Sequence, residues 1–318
     1  LYIYYIMKLS IHYLTDDRRH FTFPHFINLL NASNKKHDWV LLILTHSNDV
    51  EFYENELKNV NINYRIARVN EDNNYLVKVD VAIQFATQNN IPYMMKCDND
   101  IFLKAQTLDY MIDNLELLND SAHLTIGPVL TSGIPGIEYF CDEFLDTDAQ
   151  NAIKKMFLST TFYDRDGAVY ENLNKHTIGA TEWNKTDFFN SVKQSEHHYK
   201  GVHPIRINTE SLQYLNDYIV NNKTRFMEDN QLDIIKDNDS PYLCNSIFCI
   251  KTDTYKEIVS DHSLYVDGFE EVPLNKYAWK NNMNHLFVKN GFAIHMYYNW
   301  TPNHMDSERR FCNDFFSK

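Results

Sequence analysis

The chain has 318 residues, 44% of them hydrophobic and 14% aromatic, with 30 basic against 43 acidic residues and a formal net charge of −13. That apolar share suffices for a sizeable core, in one large domain or one domain with an insertion. The acidic balance argues against nucleic acid or an anionic membrane as partner, since phosphate backbones are bound by clustered Lys and Arg.

Five cysteines, Cys97, Cys141, Cys244, Cys249 and Cys312, form neither a CxxC pair nor a zinc-ligand spacing. With no secretory signal legible, reduced thiols and a cytoplasmic location are expected. The opening LYIYYIMKLS is apolar but too short to cross a bilayer, and no later run reaches that length, so no membrane span is expected. Glycine is scarce at eight residues, and neither GxGxxG nor GxxxxGKS/T occurs. A phosphorylated ligand would need some device other than a glycine-rich backbone cradle, either a local basic spot or a metal.

In chain order, LSIHYL (residues 9–14) predicts a strand and FPHFINLLN a helix. DWVLLIL (38–44) predicts a second buried strand, VEFYENEL a helix and INYRIARV (62–69) a third strand. Val79, Ala82, Ile83 and Ala86 recur at i, i+3, i+4 and i+7, an apolar helix face ended by NNIP. YMMKC follows as a fourth strand. Such alternation predicts an α/β fold with a mostly parallel central sheet flanked by helices. Residues 130–235 carry loop signals, polar aromatics and weak periodicity, read either as an insertion or as helices with long connections. Order returns with YLCNSIFCI (242–250) as a strand and TYKEIVSDH as a helix. DGFEEVPLNKYAWKNNMNHLFVKNG (267–291) reads as a turn, a helix and a glycine stop, FAIHMYYNW as a last strand, and TPNHMDSERRF as a tail. The division expected is 1–126, ending after the fourth strand, 127–239 as an insertion, and 240–318 as the remainder of the core and the tail.

Asp98 and Asp100, in CDNDIF, fall at the carboxyl end of the fourth strand, where ligands of parallel sheets sit. Two carboxylates this close repel unless a positive charge lies between them. A hard divalent cation meets that need, binding one or two carboxylates and completing its shell with substrate phosphate oxygens and water. It also offsets charge as a diphosphate departs. A DxD alone is weak, since an aspartate-rich chain yields chance pairs such as DRD at 164–166. Its place after a buried strand strengthens it.

MMKCDNDIFL after an alternating α/β half resembles the metal-binding DxD of nucleotide-sugar-dependent glycosyltransferases with the GT-A fold. YLCNSIFCI is similar to the strand carrying FNxG in retaining families 8 and 6, with Asn245 in the asparagine position, although Ser246 and Ile247 depart from the usual small residues. EEVPLNKY (270–277) resembles their DExxLN element, which sets Glu270 and Glu271 as the catalytic candidates, Glu271 beside the anomeric carbon. His304, 13 residues past Gly291, stands where many such enzymes place a histidine completing the metal site. The resemblance implies a GT-A-like fold with an inserted acceptor-side region, covering roughly 8–126 and 240–310. It implies a metal held by Asp98, Asp100 and His304, with Mn²⁺ favoured over Mg²⁺ by the nitrogen ligand. Its partners would be a nucleoside-diphosphate sugar donor and a glycan or other hydroxyl acceptor. Thr15, Asp16, Lys78, Asn99 and Asn245 are the donor-binding candidates.

Each candidate has a bland alternative. Asn245 can bond a neighbouring loop, Glu270 and Glu271 can complement a helix dipole near Pro273, and His295 competes with His304 as a ligand. Arg18, Arg19 and Lys78 can reach phosphate or sit in solvent. His197, His198 and His203 lack carboxylates at fixed helical spacing and read as a polar loop. Where inverting enzymes of this fold often carry a carboxylate base, this chain has Trp279 and Lys280; the EExxLN resemblance points instead to the retaining pattern, with Glu228 and Asp229 as the remaining inverting bases. The rival functions are a non-catalytic sugar-binding domain of the same fold and a sugar-1-phosphate nucleotidyltransferase.

Overall fold

The structure, a computed structural model, describes residues 7–15, 17–45, 49–69, 75–131, 136–159, 209–235, 243–244, 246–264, 271–296 and 303–317. Among these residues nine strands form one sheet: β1 Leu9–Leu14, β2 Trp39–Thr45, β3 Tyr64–Arg68, β4 Tyr93–Asp98, β5 Ile101–Leu103, β6 His123–Leu130, β7 Asp233–Ile235, β8 Ile247–Lys251 and β9 Asn284–His295. Their order is β3-β2-β1-β4-β8-β6-β9-β5, with β7 also on β9. The pairings set β1, β2, β3, β4, β6 and β9 in one direction and β5, β7 and β8 in the other. The fold class is therefore the one expected, α/β with a mostly parallel central sheet flanked by helices.

The described helices are α1 Phe23–Asn31, α2 Val50–Leu57, α3 Tyr75–Gln88, α4 Ala105–Asp113, α5 Gly136–Phe144, α6 Thr147–Ser159, α7 Thr209–Asn221, α8 Lys223–Met227, α9 Thr252–Ser260, α10 Glu271–Lys280 and α11 His304–Phe316. Successive strand residues point to opposite faces, which splits the core in two. Val40, Leu42 and Leu44 of β2 join the cluster under α3, α9 and α11, while Trp39, Leu41 and Ile43 join the cluster under α1, α2 and α4. A strand covered on both faces reads as a continuous apolar run, as WVLLIL does. Val79, Ala82, Ile83 and Ala86 are the buried residues of α3, the face that the sequence spacing picks out.

With few glycines, the chain places asparagine where the backbone turns left-handed. Asn90, Asn282, Asn290 and Asn303 have φ of 52°, 53°, 59° and 59°, a region that asparagine tolerates better than most residues. Asn90 follows α3 and Asn282 follows α10, so both work as helix stops.

Three expectations need correction. The strand expected over 242–250 starts only at Ile247. The segment expected to end in a glycine stop leaves its helix at Lys280 and becomes β9 from Asn284, running through Gly291. Asn282 ends the helix, and Leu286, Phe287 and Val288 are buried in the sheet beyond it. The presumed tail is helix α11, because Glu308, Phe311, Cys312 and Phe315 are buried on one face at i, i+3, i+4 and i+7. His197, His198, His203 and the aromatics of 160–208 lie outside the described residues, as do Asp16, Asn245 and Glu270.

Candidate functional site

Parallel pairing of β1 with β4 sets Leu14 opposite Asp98, so Thr15 and the Asp98–Asp100 turn leave the sheet side by side at its carboxyl edge. The first turn of α3 approaches the same edge. Lys78 donates from Nζ to the Thr15 carbonyl at 2.8 Å, and the Thr15 hydroxyl donates to the Leu44 carbonyl at 3.0 Å. Thr15 and Lys78, two of the donor-binding candidates, thus meet at the carboxylate turn, and Asn99 is buried within that turn.

The charge that answers the carboxylate repulsion is partly in the chain. Lys96, two residues before Asp98 and on the same face of β4, is 2% exposed and holds both oxygens of Asp98 from Nζ, at 2.7 and 2.8 Å. Its ammonium also lies 5.3 Å from the Tyr75 ring centroid, a cation–π contact from the first turn of α3. A lysine this buried persists only with such partners. Asp98 itself keeps 31% of its side chain exposed, whereas Asp100 is buried and lies 3.5 Å from His295 Nε2. Cys97, between Lys96 and Asp98 in sequence, is no nucleophile: burial, with Asp98 adding, pushes its thiol well above the ordinary value.

The segments singled out by motif meet at this turn. The Asp98 amide donates to the Ser246 carbonyl at 3.0 Å, one residue after Asn245. Asn275 of α10, fully buried, brackets Leu243: its Oδ1 accepts the Leu243 amide at 2.9 Å and its Nδ2 donates to the Leu243 carbonyl at 3.0 Å. Asn275 is the asparagine of the EExxLN element, so the start of α10, where Glu271 stands, is tied to the segment carrying Asn245. On the other side, the Met296 amide donates to the Asp100 carbonyl at 3.1 Å and β9 pairs His295 with Ile101. Of the catalytic candidates, Glu271 opens α10, while the disposition of its side chain lies outside what is described.

Other candidates are placed elsewhere. Among the described residues no group of three or more His, Cys, Asp or Glu side chains is assembled to hold a metal ion, so His304 does not gather with Asp98 and Asp100. It opens α11 with Nε2 buried and without a hydrogen-bond partner. Two carboxylates on one turn still fit a hard cation of the kind that takes its remaining ligands from substrate phosphate and water; they do not fit an all-protein cage. Glu228 and Asp229 lie beyond the far end of β5, where the Lys104 ammonium donates to the Glu228 carbonyl at 2.6 Å.

Arg19 is neither a solvated residue nor open to phosphate. It forms a two-pronged pair with Glu308 of α11, Nε to Oε2 at 2.7 Å and Nη2 to Oε1 at 2.9 Å, with Arg19 5% and Glu308 0% exposed. The pair locks the segment after β1 to the C-terminal helix. Lys96 is the residue at the turn that pattern reading missed, and for Arg19 what it did not foresee is the buried pairing with Glu308. For Lys96 the signal was a lone charge inside an apolar run, in register with Asp98.

No protein-family model matches the sequence, and neither does any curated protein. Solved structures with some likeness include S. aureus TarS 1–349 in complex with UDP-GlcNAc, at TM-score 0.43 and 11% identity, covering 95% of this chain and 61% of that one. GalNAc-T7 with UDP, GalNAc and Mn²⁺ gives TM-score 0.47 and 9% identity, covering 97% of this chain and 48% of that one. The 4-diphosphocytidyl-2C-methyl-D-erythritol synthase of Anaerococcus prevotii DSM 20548 gives TM-score 0.45 and 9% identity, with 99% of each chain covered. The chain spans less than two thirds of the TarS and GalNAc-T7 chains. At TM-scores below 0.5 none of these likenesses bears on activity, and the functional reading rests on the site. No described helix is long and apolar enough to cross a membrane.

Proposed function

We propose that the chain is a metal-dependent glycosyltransferase that moves a sugar from a nucleoside-diphosphate donor to an acceptor hydroxyl, with retention at the anomeric carbon. One observation carries this reading: the DxD turn, the segment around Asn245 and the EExxLN helix, far apart in sequence, are joined by the Asp98–Ser246 and Asn275–Leu243 hydrogen bonds. A donor needs these three functions together, namely diphosphate neutralisation, sugar recognition and a carboxylate near the reacting carbon.

In this reading Thr15 and Asp16 border the base and ribose, and Lys78, held by the Thr15 carbonyl, lies within reach of the diphosphate. Asp98 and Asp100 would hold Mn²⁺ or Mg²⁺, with Asn99 shaping the turn and substrate phosphate and water, rather than His304, completing the shell. When bound, the cation offsets the charge on the departing diphosphate. Asn245 orients the sugar. Glu271 faces the anomeric carbon as nucleophile or charge stabiliser, and Glu270 supports it. Position and fixed charge supply most of the acceleration. The acceptor enters from the side of residues 127–239.

Donor hydrolysis in the absence of acceptor tests this reading. UDP-, GDP- and dTDP-sugars are incubated with Mn²⁺ and the released nucleotide is measured. The expected result is release by the wild type and none by Asp100→Ala with its fold intact. Wild-type protein that binds a sugar nucleotide without hydrolysing or transferring it would establish the non-catalytic alternative instead.

A further inference from the structure

Lys96 is not part of the motif resemblance, yet it directly engages the first carboxylate of the turn. Its ammonium engages both Asp98 oxygens at 2.7 and 2.8 Å from a position 2% exposed. The aliphatic stem is sealed in the sheet, and the head is flanked by the Tyr75 ring at 5.3 Å. Tyr75 is itself fixed, its hydroxyl 3.1 Å from that of Tyr255 on α9. A buried ammonium with an aromatic wall on one side and a carboxylate on the other has few alternative positions, so it holds Asp98 where it stands. Asp100, two residues on, lies 3.5 Å from His295 Nε2.

We propose that Lys96 is an internal competitor of the divalent cation: it occupies Asp98 in the donor-free protein, keeps cation affinity low there, and makes the donor diphosphate a required co-ligand. The proposal rests on the cation reading given above. The physical argument is one of charge and geometry. A carboxylate whose two oxygens face one ammonium has given up its best lone-pair directions, and a dication arriving nearby is repelled by the fixed positive charge at short range in a partly buried site. Asp100 alone then offers one strong protein ligand, which suits a cation that arrives with a diphosphate and leaves with it. Removing the ammonium while keeping the volume of the stem returns Asp98 to the cation.

The test is Mn²⁺ binding to donor-free protein, read by titration calorimetry and by the free-Mn²⁺ electron paramagnetic resonance signal. The proteins are wild type, Lys96→Met, Lys96→Gln, Asp100→Asn and the Lys96→Met/Asp98→Asn and Lys96→Met/Asp100→Asn pairs. Lys96→Met is expected to bind Mn²⁺ tighter than wild type by about tenfold or more, the worth of about 1.4 kcal/mol. The gain should disappear in the pair with Asp98→Asn. Lys96→Gln keeps a neutral polar head and serves if the methionine variant does not fold. Mn²⁺ affinity in the lysine variants equal to or below wild type overturns the proposal. If Asp100→Asn abolishes Mn²⁺ binding while the Lys96 variants show no gain, only the role of Lys96 fails. If Asp100→Asn, added to Lys96→Met, leaves Mn²⁺ binding unchanged, or no variant binds Mn²⁺, the cation reading of the turn fails with it.

Discussion

Replacing Arg19 by methionine strips Glu308 of its guanidinium partner while leaving the carboxylate at 0% exposure. Breaking a buried pair from one side costs about 3–5 kcal/mol, because the remaining charge is neither solvated nor compensated. For a cooperative unit of this size the unfolding entropy is about 0.7 kcal/mol per kelvin, so the midpoint should fall by about 4 to 8 °C. Thermal unfolding followed by circular dichroism reads this directly. The mechanism makes a sharper claim about the double variant Arg19→Met/Glu308→Leu. With both charges gone, no buried ion is stranded, and more than half of the lost stability should return. A single variant within about 1 kcal/mol of wild type, or a double variant as damaged as the single effects added together, would refute the description of this pair as a buried lock between the segment after β1 and helix α11.

Glu271→Gln should lower donor turnover far more than donor affinity, by about a hundredfold in kcat with KM within a few-fold, as for a group acting on the transition state; a loss confined to melting temperature would assign Glu271 to the start of α10 alone. Gly291→Ala should destabilise by about 1–3 kcal/mol, because its Cβ would come within 2.6 Å of Val288 Cγ1 and 2.9 Å of Thr107 Cγ2, both on stiff β-branched side chains; chemical denaturation checks this. Stability should also fall on acidification. Burial lowers His12 and His285 to about 3 each, so below the unfolded-state value of about 6.5 the unfolded chain takes up protons that the folded one refuses. The stability these neutral histidines contribute is complete above about pH 6.5 and is lost progressively down to about pH 3, with a slope of up to about 2.7 kcal/mol per pH unit from the pair. Substituting either histidine by glutamine should flatten that slope by about half.

Where burial on one face or both decides the structure, the sequence was easy to read. β1 announces itself by alternation, β2 and β4 by continuous apolar runs and α3 by its 3.6-residue period, and Asp98 could be set at a strand end before any coordinates. Helix α11 carries an equally regular face at Glu308, Phe311, Cys312 and Phe315, but one of its four buried positions is a glutamate, and its partner Arg19 is 289 residues away. Charge pairing over that distance has no local signature. Strand β9 was misread because NHLFVKNG follows a helix and ends in glycine, two features that fit a helix stop. What makes it a strand is pairing with β6 and β7, including a register shift between Pro128 and Val129 that absorbs Lys289, Asn290 and Gly291. At the site, the carboxylates were legible as a pattern, while the Lys96–Asp98 pair was hidden inside an apolar strand, where a lysine looks like noise. The Asn275–Leu243 bracket gave no sequence signal beyond the resemblance of its element, since a side chain recognising a backbone group leaves no mark on the residue it recognises.

The most direct test of the central claim is a thermal-shift panel of UDP-, GDP- and dTDP-sugars, each with Mn²⁺ and with EDTA, on wild type and Asp100→Ala. Donor at a hundred times its Kd should stabilise by about 2.7 kcal/mol, close to 4 °C here. The account predicts a shift of that order for at least one sugar nucleotide with Mn²⁺, abolished by EDTA and by Asp100→Ala. No shift with any donor, or a shift indifferent to both EDTA and the substitution, would contradict it and leave the Asp98–Asp100 turn as a structural feature held by Lys96.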